Sequence, residues 1–321
     1  MPKGMFTQGV CVLLQQAVSL DEIAAALSDF EILKRIDASE EWAFSGPSLI
    51  LAYLPESNGL VSVDLVDRPW PDHMGDANEE FMIFGAWSMG HFGPFAYPGC
   101  LERAAQQCWA WEAGETIPGQ QQAFIRIRCS YAFGAEDDAP VMPADYEPLP
   151  ELEFVTKVTA ALLELPGALC YFNPNGEVLR DADGVRSSLN YAWSNELPPI
   201  DLWSNVRLFN INSQWALMDS VGCGQLDLPD CEAIFHNERY DFTEVDNFLR
   251  NVTLYLMDQG EVIKAGDTMD GPGDVRWQAH QRDDGVCDPP RPLLRWIPMD
   301  NCELPIEIQQ ADQRSEEHTD R

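Results

Sequence analysis

Apolar positions recur along the chain with periods of two and of three to four residues, so strands and helices are predicted to follow one another. Gly9–Leu14 (GVCVLL) is a short apolar run suited to a buried strand. Ser19 with Glu22 three residues on has the capping-box spacing, and Ile23, Ala26, Leu27 and Phe30 then line one helix face. Ser48–Leu54 and Gly59–Val66 flank the turn-rich Pro55–Asn58 and read as a hairpin. In its second strand Val61, Val63 and Leu65 oppose Ser62, Asp64 and Val66. A loop at Asp67–Glu80, a helix at Leu101–Trp111 and a strictly alternating strand at Ala123–Ala132 complete the order β-α-β-β-α-β. That order predicts a ferredoxin-like split βαβ unit.

Gly134–Pro150 carries four prolines and a cluster of acids with little periodicity, the pattern of a linker. The second half opens with a helix at Leu152–Leu165, a strand at Ala168–Phe172 and a turn at Asn173–Gly176 before Glu177–Arg180. Leu202–Asn210 and Gln214–Val221 read as paired strands. Asp241–Asp258 is the clearest helix, with Thr243 as its cap and Gly260 closing it. Val275–Gln281 is the last expected strand; beyond Asp283 the chain is proline-rich, and Gln309–Arg321 reads as disordered. The expected fold class is therefore α+β. An N-terminal domain covers residues 1–133, an acidic linker 134–150, a second α+β domain 151–282 and a tail 283–321.

Hydrophobic residues make up 45% of the 321, enough for a packed core and too many for a disordered chain. The charge is lopsided: 20 Lys+Arg against 53 Asp+Glu give a net −33. The excess is spread over both halves, with 7 basic and 22 acidic residues up to position 150 and 13 and 31 beyond it. Such a chain repels phosphate backbones and anionic head groups, so neither nucleic acid nor membrane is an expected partner. No apolar run approaches the roughly 18 residues that cross a bilayer. Met1–Met5 lacks the charged opening of a secretory signal, and the nine cysteines include no C-x-x-C pair. Both point to a reducing, cytoplasmic setting in which cysteines serve as small buried hydrophobes.

Catalytic signals are sparse. The chain has no G-x-S-x-G elbow, no phosphate-binding G-x-x-x-x-G-K-[ST] and no H-E-x-x-H. Asp72, His73, Asp76, Glu79 and Glu80 offer oxygen and imidazole groups, but a loop fixes no ligand geometry, and no metal or cofactor is expected. Gly90–Gly99 is rich in Gly, Pro and aromatics; it either admits a ligand to the backbone or, the preferred reading, folds down onto the sheet. A hydrolase built on Cys223 with His236, or on the Asp72–His91 region, is the alternative function. An intracellular scaffold is a third.

Pro198–Trp203, Ser220–Gly222, Leu228–Glu232, Phe248–Tyr255, Gly260 and Ala265–Thr268 together resemble the bacterial domain-of-unknown-function family numbered 4261, over roughly residues 198–280. The resemblance assigns no catalytic residue. It implies an immunity protein of the type VI secretion kind, the antidote to a secreted toxin such as a nuclease. The charge fits independently, because an acidic partner complements a basic substrate groove and is steered to it. The expected partner is thus a cognate toxin, with oligomeric state open. Its expected contacts are the acids Asp72, Asp76, Glu79, Glu80, Glu136, Asp137 and Asp138, with His91 and Phe95 at an apolar centre.

Overall fold

A computed structural model describes residues 3–37, 44, 46–135 and 140–319, with side chains through 312. It divides into two compact units, residues 1–203 and 204–321. Both mix helices with a sheet, so the α+β class stands.

The first unit contains, in order, β1 (Gln8–Leu14), α1 (Leu20–Ala26), β2 (Ile32–Ile36), β3 (Ser48–Leu54), β4 (Gly59–Val66), α2 (Phe81–Ser88), α3 (Cys100–Gln106) and β5 (Ala123–Ser130). It continues with α4 (Pro148–Leu162), β6 (Ala168–Asn173), β7 (Val178–Arg180), α5 (Ala182–Ser194) and α6 (Ile200–Trp203). Ser19 caps α1 in the predicted capping box, with Glu22 returning a bond to the Ser19 backbone. The seven strands form one sheet in the order β2-β3-β4-β5-β1-β6-β7, antiparallel throughout.

This order corrects two expectations. A split βαβ unit would put β1 between β4 and β5, whereas β5 separates β1 from β4. All seven β1 residues are buried, and a strand apolar on both faces needs neighbours on both edges: β5 on one side, β6 on the other. Since β6 and β7 complete the same sheet, residues 134–150 connect two parts of one unit rather than two domains. The chain divides instead at 203/204.

Alternation sorts the sheet's two faces. On one, α4 packs over β1 and β5 and α1 over β3 and α4, burying Ile23, Leu27, Val155, Val158 and Leu162. On the other, Leu13, Phe124, Phe172 and Leu179 meet Trp70, Trp87, Phe92 and Leu101 from the segment between β4 and β5. Trp70 is central, with ring centroids 5.0 Å from Phe92, 5.2 Å from Phe124, 5.1 Å from Phe172 and 5.9 Å from Trp87. Each such edge-on pair adds about 0.5–1.5 kcal/mol beyond area burial. The Gly90–Gly99 loop therefore does fold onto the sheet, with Phe92 buried.

The second unit contains β8 (Asn205–Asn210), β9 (Trp215–Val221), β10 (Asp230–His236), α7 (Phe242–Gln259), β11 (Thr268–Gly271), β12 (Val275–Arg282), β13 (Leu293–Pro298) and α8 (Ile306–Thr319). Its six-stranded sheet runs β11-β12-β13-β10-β9-β8, with β10 and β13 parallel. On one face α7 buries Val245, Leu249 and Val252 in a core with Phe235, Trp277 and Trp296. The cap of α7 is Asp241 rather than Thr243; its carboxylate accepts the Thr243 and Glu244 amides at 2.9 and 3.2 Å.

The expected tail is part of this fold. Residues 293–298 (LLRWIP) form an interior strand between β10 and β12, and Ile308 of α8 packs with Leu217 and Ile234 on the second face. Pro289, Pro290 and Pro292 precede that strand, where a missing amide hydrogen costs the ladder nothing.

Candidate partner-binding surface

The acids expected to face a partner divide into two groups. Asp72 is tied into the fold. Its carboxylate accepts the Leu101 and Glu102 amides at 2.9 and 2.8 Å, satisfying the first turn of α3, and the Trp70 indole at 3.3 Å. Burial raises its pKa, and these hydrogen bonds offset only part of the rise. It stabilises a helix end and offers little to a partner.

Asp76, Glu79 and Glu80 are exposed and lead directly into α2. The Asp76 carboxylate accepts the Asn78 and Glu79 amides at 2.8 and 3.0 Å, which holds its pKa below the usual range. Glu80 pairs with His73 at 3.3 Å. Acids before the first turn of a helix also suit its positive end.

No residue of α2 itself (FMIFGAWS) is charged. Ile83, Ala86 and Trp87, at helical spacing, turn into the aromatic core. Phe81, Phe84 and Met89 lie on the opposite stripe and are 59%, 36% and 46% exposed. A helix apolar on both faces is ordinarily buried on both. Among the described residues, nothing covers this one's outer face. Neither Phe81 nor Phe84 figured in the sequence reading, although an uncharged octet after Glu79-Glu80 was a readable signal.

His91 and Phe95, expected at the apolar centre, belong to the loop folded on the sheet. The His91 ring meets Phe6 edge-on at 5.5 Å. Burial, then Arg128 and Arg126, push its pKa down to about 4, so it is neutral at pH 7. Phe95 is half-buried, and its amide donates to Asn175 Oδ1 at 3.0 Å. Glu136, Asp137 and Asp138 lie outside the described residues.

Beneath this loop sits a buried charge cluster. Asp64 on β4 accepts Arg126 Nε and Nη2 at 3.0 and 2.6 Å and Arg128 Nη2 at 2.9 Å. Burial alone would raise the Asp64 pKa, but the two guanidinium groups together hold it below the ordinary value. Arg126 also donates to the carbonyls of His91 at 3.1 Å and Phe44 at 2.7 Å. The cluster thus fixes the loop that precedes α3. Ser62 and Asp64 alternate with Val61 and Val63 as predicted, yet they are buried rather than solvated.

The hydrolase alternative finds no geometry at Cys223 and His236. Cys223 is fully buried; burial, then Asp230, raise its thiol pKa well above normal. Its amide donates to Asp230 Oδ1 at 3.1 Å, at the start of β10, whereas His236 ends that seven-residue strand. A strand of this length spans about 20 Å. Among the described residues, no three His, Cys, Asp or Glu side chains converge as a metal site.

The second unit carries its own buried ion network. Arg207 pairs with Asp219 at 2.6 Å, and Arg291 with Asp219 at 2.6 Å and Asp230 at 3.2 Å. Arg295 bridges Glu232 and Asp312. Burial raises the Glu232 pKa against the pull of Arg295. These contacts tie β8, β9, β10 and β13 to one another and to α8, and their acids already have partners within the unit. No curated protein and no solved structure matches the chain. Residues 219–297, the stretch from β9 through β13 that supplies most of this network, match the model of a family described as a domain of unknown function (DUF4261).

Proposed function

We propose that this protein acts without catalysis, as an immunity protein that captures a basic partner, such as a secreted bacterial nuclease toxin, and neutralises it. The observation that carries this reading is the outer face of α2, where uncovered Phe81, Phe84 and Met89 stand beside the exposed acids Asp76, Glu79 and Glu80. An apolar centre with a charged rim is the usual anatomy of a protein interface. The rim's sign, in a chain of net −33, selects a basic partner and speeds its approach.

The energy available is appreciable. A phenylalanine offers roughly 200 Å² of surface, so the 59% of Phe81 still exposed is worth up to about 3 kcal/mol when covered. The test is co-expression of the full chain with any basic toxin candidate found in its gene neighbourhood, in parallel with Phe81→Ser/Phe84→Ser. Co-purification of the native chain, lost in the double variant, supports the reading. Absence of a complex at low salt, or equal capture by the variant, defeats it.

A further inference from the structure

Cross-strand register builds a second feature on the aromatic-core side of the first sheet, away from that core. Lys34, Ile50, Ser62 and Arg128 face one another in a single row across β2, β3, β4 and β5, and Ile36, Ser48, Asp64 and Arg126 form the next row. These rows floor an open cavity of about 360 Å³. That volume lies within the range of small-molecule pockets.

Among the described residues, the charges of its floor do not balance. Asp64 is one carboxylate shared by two buried guanidinium groups, with side chains 2% and 9% exposed for Arg126 and Arg128. Arg126 spends its remaining donors on the carbonyls of His91 and Phe44. Arg128 does not: its guanidinium lies 4.0 Å over the Phe6 ring, and among the described residues its Nε and Nη1 have no hydrogen-bond partner. The Ser62 hydroxyl, its neighbour across the row, is buried and likewise has no partner among the described residues. Burial pushes the Arg128 pKa down to about 10, and the adjacent Arg126 adds to this against Asp64. A buried cation with idle donors is costly, and such groups ordinarily meet water, an ion or a ligand. Lys34, exposed at the rim, adds a further positive charge in an otherwise anionic protein.

We infer that this cavity binds a small organic carboxylate, its oxygens held by Arg128, Ser62 and Lys34 and its apolar body against Ile36, Ile50 and Leu60. Three features point to this class. The surplus positive charge of the buried floor, with Lys34 at the rim, calls for an anion. Mixed donors around a guanidinium suit carboxylate oxygens. The aliphatic walls favour an apolar body over a fully hydrated ion.

The test is calorimetric titration of the full-length protein with benzoate, hexanoate and inorganic phosphate at low ionic strength. Saturable 1:1 binding of benzoate or hexanoate is expected. Lys34→Glu, which alters only an exposed rim, should weaken it about tenfold by replacing an attraction with a repulsion. Arg128→Lys, which keeps the charge but loses the planar fork, should weaken it further while the protein stays folded by circular dichroism. No saturation by either carboxylate, binding indifferent to Lys34→Glu, or binding of phosphate alone would overturn the assignment.

Discussion

Replacing Asp64 by asparagine keeps the side chain's volume and removes its charge. The carboxylate accepts three hydrogen bonds, from Arg126 Nε and Nη2 and from Arg128 Nη2, all in the buried interior of the first unit. Asparagine leaves two buried guanidinium groups facing one neutral amide, and removing one partner of a buried pair costs about 3–5 kcal/mol. For a unit of this size each kcal/mol lowers the melting temperature by about 2–4 °C, so a fall of roughly 6–20 °C is expected. Hydrogen exchange of peptides covering β4 and β5 reads the first unit alone within the full chain. Adding Arg128→Met to Asp64→Asn should restore part of the loss, because one uncompensated charge goes with it.

The pH dependence has a defined sign. The folded Asp64 carboxyl titrates below its unfolded value, so its contribution is complete above the ordinary carboxylate range. It is lost as pH falls through the lower, folded value, and the native chain should lose more stability there than Asp64→Asn. A loss below about 1 kcal/mol on substitution, against the 3–5 expected of a broken buried pair, would refute the claim that this cluster holds the loop in place.

Other consequences are local. Phe81→Ser should cost no more than about 2 kcal/mol of stability, since its ring is already 59% exposed, while weakening partner affinity at least about tenfold. Urea unfolding and titration with the partner separate these effects. Asp241→Ala removes the carboxylate that accepts two amides at the start of α7 and should cost about 1 kcal/mol by denaturant titration. Six of the nine free cysteines are buried, out of a reagent's reach in the native fold. A thiol reagent at pH 8 should therefore modify the native protein only at Cys108, Cys287 and Cys302, and reach the other six on unfolding.

Local patterning was legible and long-range pairing was not. The capping box at Ser19, the alternation of Gly59–Val66 and Ala123–Ser130, and the amphipathic stripe of α7 all follow from contacts within a few residues. Strand order depends instead on which partners a fully apolar strand such as β1 acquires, and β6 lies some 150 residues away in sequence. The prolines that suggested a linker and a tail mark connections inside each unit, because the strands beyond them complete existing sheets.

The site shows the same division. The exposed acids at 76, 79 and 80 could be placed on a loop from composition. Burial of Asp72 could not, because it depends on α3 arriving from 30 residues away. Arg126 and Arg128 were visible as charges in an apolar strand; only the register opposite Ser62 and Asp64 shows what they share.

Everything functional rests on an acidic rim around an uncovered apolar helix meeting a basic protein. The most direct measurement is the association rate of the full chain with the proposed basic toxin partner, by stopped flow, from about 0.02 M to about 0.5 M salt, a range over which the screening length shrinks several-fold. A rate that falls at least about tenfold, and falls less steeply for Glu79→Lys/Glu80→Lys, is the predicted result. A rate indifferent to salt, or unchanged by that charge reversal, would contradict it.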